Sequence, residues 1–218
     1  MTATDKSSVP VNFDRRYSDV VTTEKPGLRE RTRQAVRTQL MAVAWGLFVE
    51  RGYDATTVDE IAAAVGMSQR SFFRYFSSKE DVVLVKFEAV GAMLADVLAN
   101  RPAEEDAWTA LRRAFDVIVG PTERDPRHGL VLLRITSQAP ALRARVLEEQ
   151  TNWQELLAPL VALRMQQPAG GDLGPTALTA AALACLVVAN AAWLRVDGTE
   201  PLAGFLDDAM RTVRPGAF

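Results

Sequence analysis

The 218-residue sequence has few of the side chains that carry out catalysis. It contains one histidine and one cysteine, so we expect neither an internal disulfide nor a metal site built from those residue types. It also lacks metal-ligand spacings and a glycine-rich phosphate-binding loop. These absences argue against an enzyme, and we expect no catalytic residue, no metal and no cofactor.

Long apolar runs without charge are scarce as well. Residues 1–23 are polar and contain no apolar core of the kind that a secretory signal needs. Residues 177–194 carry no charge, and 18 residues is near the minimum for a membrane span. Because eight of these 18 residues are alanine and the run includes Thr179 and Asn190, we interpret it as a buried or subunit-interface helix, with no membrane partner. The single cysteine, Cys185, fits a reducing compartment, so we expect a cytoplasmic protein.

The net charge of −2 does not by itself suggest a nucleic-acid partner. Residues 1–80 hold 12 basic and 10 acidic side chains, so the small positive excess lies in this part of the chain. A specific DNA-binding protein needs a basic face and not a basic chain, so the balance neither supports nor excludes one. It does disfavour a nucleoid-type protein, because non-specific binding depends on contacts with many phosphates.

Apolar residues recur at helical spacing along the chain, and no sustained strand-like alternation is present, which predicts an all-α fold. Capping boxes of Thr57 with Glu60 and of Ser77 with Glu80 are expected to start the second and fourth helices. Gly120-Pro121 is expected to break the chain, and Pro159 to kink its helix. The predicted helices span residues 28–51, 58–65, 69–76, 78–100, 103–119, 126–137, 140–165, 176–196 and 201–213.

This pattern divides the chain into three parts. Residues 1–27 form a flexible N-terminal arm, residues 28–80 a small three-helix unit, and residues 81–218 a larger helical bundle. The arm carries Arg15, Arg16 and Lys25, which could reach a minor groove, although a disordered tail is the favoured interpretation.

The two short helices around Gly66-Met67-Ser68 have the layout of a helix-turn-helix, whose second helix enters the major groove of DNA. On a helical wheel Phe72 and Phe76 share the core face, whereas Arg70 and Arg74 lie opposite. Arginine pairs bidentately with guanine or binds a phosphate. Two arginines also occur on ordinary solvated helices, but four aromatic residues within 71–76 argue against that reading.

The full motif resembles the DNA-binding domain of the TetR family of transcriptional regulators over residues 29–85. The resemblance is carried by Phe48, Gly52-Tyr53, Thr56-Thr57-Val58, Ile61-Ala62, Val65-Gly66-Met67-Ser68 and the run from Phe72 to Glu80. It implies an all-α protein with an N-terminal three-helix helix-turn-helix domain and a C-terminal helical bundle. It also implies binding to a double-stranded DNA operator, usually as a repressor.

The resemblance further implies which residues meet DNA. Gln69, Arg70 and Ser71 would contact bases or the nearby backbone, although the wheel puts Gln69 toward the core. Phe73 departs from the more common tyrosine, which removes one phosphate hydrogen bond and leaves a ring for a sugar or a thymine methyl. The DNA-binding residues expected in all are Thr57, Gln69, Arg70, Ser71, Phe73, Arg74, Tyr75 and Lys79.

By the same resemblance, residues 81–218 would bind a ligand and dimerise. The last two helices would pack against their symmetry mates as a four-helix bundle, giving a homodimer on a palindromic operator, and the alanine run supports this. Packing within one chain is the alternative.

A small hydrophobic ligand would release the operator, with a ligand-independent or activating regulator as the alternative. Its pocket would be lined by Phe87, Met93, Trp108, Phe115, Leu132, Arg134, Trp153, Leu157, Asn190 and Trp193, each of which could equally be a core residue.

Overall fold

The computed structural model describes residues 27–166 and 173–214, and within these ranges it contains helices and no strand. The all-α prediction is confirmed. The predicted N-terminal arm lies almost entirely outside the described residues. The helices are α1 (Leu28–Arg51), α2 (Val58–Ala64), α3 (Gln69–Phe72), α4 (Lys79–Ala99), α5 (Ala107–Ala114), α6 (Asp116–Arg124), α7 (Pro126–Gln138), α8 (Pro140–Arg164), α9 (Leu173–Arg195) and α10 (Leu202–Val213).

The first three helices follow the local signals closely. Helix α1 has the predicted bounds and ends at Gly52, whose φ of +90° is one that side-chain-bearing residues rarely adopt. Helix α2 starts with the predicted capping box, since Thr57 accepts from the amide of Glu60 and the Glu60 carboxylate accepts from the amide of Thr57.

Helix α3 is shorter than predicted. Only Gln69–Phe72 is helical, and residues 73–75 continue as turns. The amides of Tyr75 and Phe76 both donate to the carbonyl of Phe72, at 2.8 and 3.2 Å. The segment therefore keeps enough helical character to bring Phe76 back onto the face of Phe72, as the wheel predicted.

The start of α4 differs from the predicted Ser77–Glu80 capping box. Ser78 is the N-cap, and its hydroxyl accepts from the amide of Asp81. Ser77 donates through its amide and its hydroxyl to the Asp81 carboxylate. Glu80 accepts a hydrogen bond from the Tyr53 hydroxyl at 2.9 Å, a contact across 27 residues that local spacing does not reveal.

The predicted helix 103–119 and the break at Gly120-Pro121 are wrong. Asp106 caps α5, which starts later, and Phe115 separates α5 from α6 with helical backbone angles, leaving Gly120-Pro121 inside α6. Phe115 and Val119 are both buried, so this junction packs against the core. Pro121 removes one helical hydrogen bond without stopping the helix.

The described residues bury two clusters of apolar side chains. The first, the head core, combines α1 to α3 with the start of α4, and it also takes in Ile135 of α7 and Leu142 of α8. The second, the bundle core, lies among α4 to α6 and α8 to α10, with Trp108 and Trp193 among its largest fully buried side chains. Helix α4 contributes to both cores.

Helix α9 begins at Leu173, three residues before the predicted start, and part of the predicted loop 166–175 lies outside the described residues. By length and composition alone this helix could cross a membrane. Only 39% of its most apolar window is buried. A core helix of a soluble protein meets the same criterion, so this is weak evidence for a span.

Candidate nucleic-acid interface

The recognition segment, residues 69–76, separates its apolar and charged side chains onto opposite faces. Phe72 and Phe76 are buried in the head core with ring centroids 5.6 Å apart. Arg70 and Arg74 are exposed, and neither forms an ion pair with any described residue. The two buried phenylalanine rings thus anchor a segment whose opposite face presents two guanidinium groups. Such groups can form bidentate hydrogen bonds with guanine or phosphate.

Gln69 is exposed, so the wheel placed it wrongly. It is the first residue of α3, directly after the N-cap Ser68, and the short helix leaves no core for its side chain to enter. Ser71 is half-buried, and its hydroxyl lies 3.1 Å from that of Ser68. Both Gln69 and Ser71 therefore border the exposed face of the recognition segment.

Phe73 is the exposed aromatic residue of this face, with 49% of its surface accessible. Its ring packs edge-to-face on buried Phe72, at 5.6 Å between centroids. Contact with Phe72 holds the exposed ring in place, which leaves an apolar surface available for a sugar or a thymine methyl. Tyr75 is half-buried against the head core.

Thr57 is exposed at the start of α2, but its polar groups are occupied. Its amide and its hydroxyl donate to the same Glu60 carboxylate oxygen, at 2.8 and 2.9 Å. These hydrogen bonds lower the pKa of Glu60. A phosphate that approached Thr57 would have to compete with this carboxylate.

Lys79 also forms bonds inside the chain. Its ammonium donates to the carbonyls of Tyr53 and Thr56 at 2.8 and 3.0 Å, and it lies 4.0 Å from the centroid of the Tyr53 ring. These contacts tie the start of α4 to the loop between α1 and α2. One of its three N–H groups remains for a phosphate, so Lys79 is first a structural residue of the head.

Tyr53 and Glu80 complete this tie. Burial and the hydrogen bond to Glu80 raise the pKa of the Tyr53 hydroxyl. Burial alone would raise the pKa of Glu80, but hydrogen bonds from its own amide, Tyr53 and Ser78 outweigh it and leave that pKa below its ordinary value. Glu80 is therefore a carboxylate at neutral pH and the acceptor of this contact.

Arg37 is a residue of the head that the sequence motifs do not reveal. This half-buried residue of α1 places its guanidinium carbon 5.2 Å from the centroid of the Phe76 ring, and its buried Nε has no hydrogen-bond partner among the described residues. Its spacing from the buried Leu40 could have indicated that it lies on the inner side of α1.

The candidate pocket residues do not all come together. The bundle core contains most of the large aromatic ones, with Phe87 packed at its edge. Leu132 packs on the head core instead, and Met93 and Asn190 are half-buried. The pocket residues inside the bundle core are Trp108, Phe115, Trp153, Leu157 and Trp193.

Arg134 lies apart from that core. It is exposed and pairs with Asp197 at 2.6 Å, beyond the end of α9. It also borders a cleft of about 470 Å³ between the end of α1 and α7, which is lined by Phe48, Gly52 and Ile135 among others. Arg134 therefore joins the edge of the bundle to the underside of the head.

Two family models match the chain. Residues 40–85 match the model for bacterial regulatory proteins of the tetR family, and residues 105–217 match the MftR C-terminal domain. The transcriptional regulator TcmR of Streptomyces glaucescens is 32% identical over 88% of this chain and 89% of its own. The putative mycofactocin biosynthesis regulator MftR of Mycobacterium tuberculosis is 30% identical over 81% and 90%.

Solved structures agree on the fold. FadR of Thermus thermophilus, a TetR-family repressor crystallised with lauroyl-CoA, superposes with a TM-score of 0.61 at 24% identity, covering 84% of this chain and 95% of that one. FadR of Bacillus halodurans gives 0.62 at 20% identity, covering 88% and 98%. The C-terminal match alone covers more than half of this chain, and the similarity to TcmR extends over most of both chains. Together with the matching helix-turn-helix, this shows that the chain belongs to the TetR family of DNA-binding transcriptional regulators, which are not enzymes.

Proposed function

We propose that this regulator is a cytoplasmic homodimeric repressor that leaves a palindromic operator when a small apolar ligand binds. Residues 28–80 form the DNA-binding domain and residues 81–218 the ligand-binding and dimerisation domain. The DNA-binding part of the proposal rests on Arg70 and Arg74, which are exposed on the recognition segment and form no ion pair with a described residue.

The expected DNA contacts divide by chemistry. Arg70 and Gln69 read base edges, and Phe73 offers its exposed ring to a sugar or a thymine methyl. Backbone contacts position the protein without reading sequence. They come from Thr57, Ser71, Arg74, Tyr75 and Lys79, of which Thr57 and Lys79 contribute least because they already bond within the head.

The surface of α9 supports the dimer. Val187 and Val188 are 43% and 58% exposed, and Ala184 and Ala191 lie exposed one turn to either side. A second copy of α9 would remove this apolar strip from water, and the alanines would let the two helices approach closely. Two recognition segments related by a two-fold axis would then meet successive major grooves.

One buried hydrogen-bond donor in the bundle core supports the proposal that a ligand binds there. The indoles of Trp153 and Trp193 donate to the carbonyls of Phe87 and Glu200, at 3.2 and 2.8 Å. Trp108 is fully buried in the same core, yet its Nε1 has no hydrogen-bond partner among the residues that the structure describes. An unpaired buried donor costs about 1–3 kcal/mol, so an apolar ligand with one hydrogen-bond acceptor would bind favourably here.

Two relatives that match a shorter part of this chain are named for opposite effects on transcription, one for repression and one for activation. KstR2 of Rhodococcus jostii is called a repressor and FasR of Mycolicibacterium smegmatis an activator, and they match only 22% and 41% of this chain. We favour repression because a protein that only blocks a promoter needs no surface beyond the operator contacts and the dimer.

Operator binding is tested by competition in a gel-shift assay at fixed salt. Labelled DNA from upstream of the gene competes with unlabelled duplex of the same or of scrambled sequence, and light scattering measures the mass of free protein. We expect release by the specific duplex alone and the mass of two chains. Equal competition by both duplexes would exclude a specific operator, and a single-chain mass would exclude the homodimer.

The ligand is tested by thermal shift with a panel of apolar molecules that includes lauroyl-CoA, comparing wild type with Trp108→Phe. The variant keeps the ring and loses the donor, so it should keep operator affinity and lose about tenfold in affinity for the ligand. Equal ligand affinity in both proteins would show that Trp108 does not face the ligand.

A further inference from the structure

The first turns of α1 extend beyond the head core. Residues 27–35 are all exposed, and the buried stripe of α1 begins at Leu40. At 1.5 Å per residue, residues 28–37 project by about 15 Å. This segment, residues 28–37, is called the α1 overhang.

The charge of the α1 overhang is strongly positive. It holds Arg29, Arg31, Arg33 and Arg37 against one acidic residue, Glu30. Positions four residues apart are offset by only about 40° on a helix. Arg29, Arg33 and Arg37 therefore form a ridge that continues the buried stripe of Leu40. Arg31 lies on another face, about 120° from Arg37.

The arginine ridge is unfavourable for an isolated helix. Like charges four residues apart repel each other, and positive charges in the first turns oppose the helix macrodipole. Within residues 27–166 and 173–214, no ion pair offsets the charge of Arg29, Arg33 or Arg37. An anion bound along the ridge would remove both penalties.

Arg37 connects the ridge to the recognition segment. Its guanidinium lies over the ring of Phe76, the last residue of that segment, and its buried Nε has no partner in the part of the chain that the structure describes. Its two terminal nitrogens form no hydrogen bond with the described residues, and neither belongs to the buried polar atoms that lack a partner. The cation is therefore held beside the recognition segment with donors to spare.

We propose that the arginine ridge of Arg29, Arg33 and Arg37 binds the phosphate backbone beside the major groove that α3 enters. The partner is duplex DNA because Arg37, at the end of the ridge, contacts the last residue of the recognition segment, and the ridge shares the positive charge of that segment. A ridge about 12 Å long can meet more than one phosphate, since each strand carries one per about 3.4 Å of helix axis. Phosphates are the same at every base pair, so the ridge adds affinity without sequence preference.

This inference rests on the proposed operator binding, and salt titration separates the two. Fluorescence anisotropy gives the Kd of the full chain for operator and for scrambled duplex between 50 and 200 mM salt, as an approximate working range. The variants are Arg33→Ala, Arg37→Ala and Arg37→Lys, with Arg31→Ala as the matched control. Arg31 has the same charge and exposure but lies off the ridge.

We expect Arg33→Ala and Arg37→Ala to weaken both duplexes about tenfold and to reduce the slope of log Kd against log salt by about 0.9 each. Arg37→Lys should keep the slope, and Arg31→Ala should change little. If Arg33→Ala and Arg31→Ala lower the slope equally, the ridge is not a phosphate site. Arg33 does not pack in the core, so misfolding cannot explain its result.

The wild-type control identifies which proposal has failed. Equal wild-type affinity for operator and scrambled duplex would contradict the proposed specific function. A specific wild type whose ridge variants match Arg31→Ala would contradict only the ridge.

Discussion

The two cores differ in what their arginines do. Among the arginines of residues 28–80, only Arg51 forms an ion pair with a described residue, Glu60. In the bundle, Arg112 of α5 pairs with Asp207 of α10, and Arg164 of α8 donates to the carbonyls of Leu98, Arg101 and Pro102 at the end of α4. These two bundle arginines hold helices together, whereas Arg70 and Arg74 of the head pair with no carboxylate of the described residues.

Arg112 and Arg70 test this contrast most strongly. Arg112 is buried, donates to Asp116 at 2.7 Å and also pairs with Asp207 of α10. Arg112→Met should lower the free energy of unfolding by about 1–3 kcal/mol, because Asp116 and Asp207, which are partly exposed, lose their hydrogen bonds from the guanidinium. Operator affinity of the folded protein should stay the same. Denaturant unfolding and anisotropy measure the two quantities.

Arg70→Met is the matched change in the head. It should leave the unfolding free energy within about 0.5 kcal/mol of wild type, since surface substitutions rarely do more. It should cost about 1–3 kcal/mol of operator binding and relax the preference at one base pair of each half-site. If both variants changed stability and DNA binding alike, the division between head and bundle would not hold.

Gly91 tests the junction between the two regions. It lies on α4, where an added Cβ would come within 2.5 Å of Cδ1 of Trp153, whose indole bonds to the Phe87 carbonyl of the same helix. Gly91→Ala should destabilise the protein by about 1–3 kcal/mol and shift tryptophan fluorescence. Gly46→Ala in α1 is the control, because nothing lies within 4 Å of its added Cβ, and it should stabilise by about 0.5–1 kcal/mol. Equal stability changes would mean that α4 is not held tightly by Trp153.

Lys79 is the exception in the head, and its effect on stability should lie between those of Arg112→Met and Arg70→Met. Lys79→Met leaves the carbonyls of Tyr53 and Thr56 without this donor, and we expect a loss of about 1–2 kcal/mol. DNA affinity should fall by a similar factor for all sequences, and less than for Arg33→Ala. Unchanged stability with a large fall in affinity would reassign Lys79 to the phosphate backbone.

Local signals were enough for much of the fold. The bounds of α1, the capping box at Thr57 and the burial of Phe72 and Phe76 depend on residues within a few positions of each other, so the sequence predicts them. Exposure of Arg70 and Arg74 follows from the same helical period.

The differences come from contacts between distant parts of the chain. Ser78 and not Ser77 caps α4, where Glu80 also bonds to the distant Tyr53, and α6 continues through Gly120-Pro121 beside the buried Phe115 and Val119. The role of Lys79 depends on a loop 23 to 26 residues earlier in the chain. Each is decided by tertiary packing, which overrides a local preference worth about 1 kcal/mol.

The bonded ammonium of Lys79 bears on how such regulators diverge. The run Ser77-Ser78-Lys79-Glu80, which makes the chain recognisable, closes the head through Tyr53, Thr56 and Asp81. Substitutions in this run should therefore destabilise the head whatever promoter the protein controls. The exposed side chains of Gln69, Arg70 and Arg74 lie outside the head core, so substitutions there should change DNA recognition and leave folding intact. Two proteins that share the signature can therefore bind different operators.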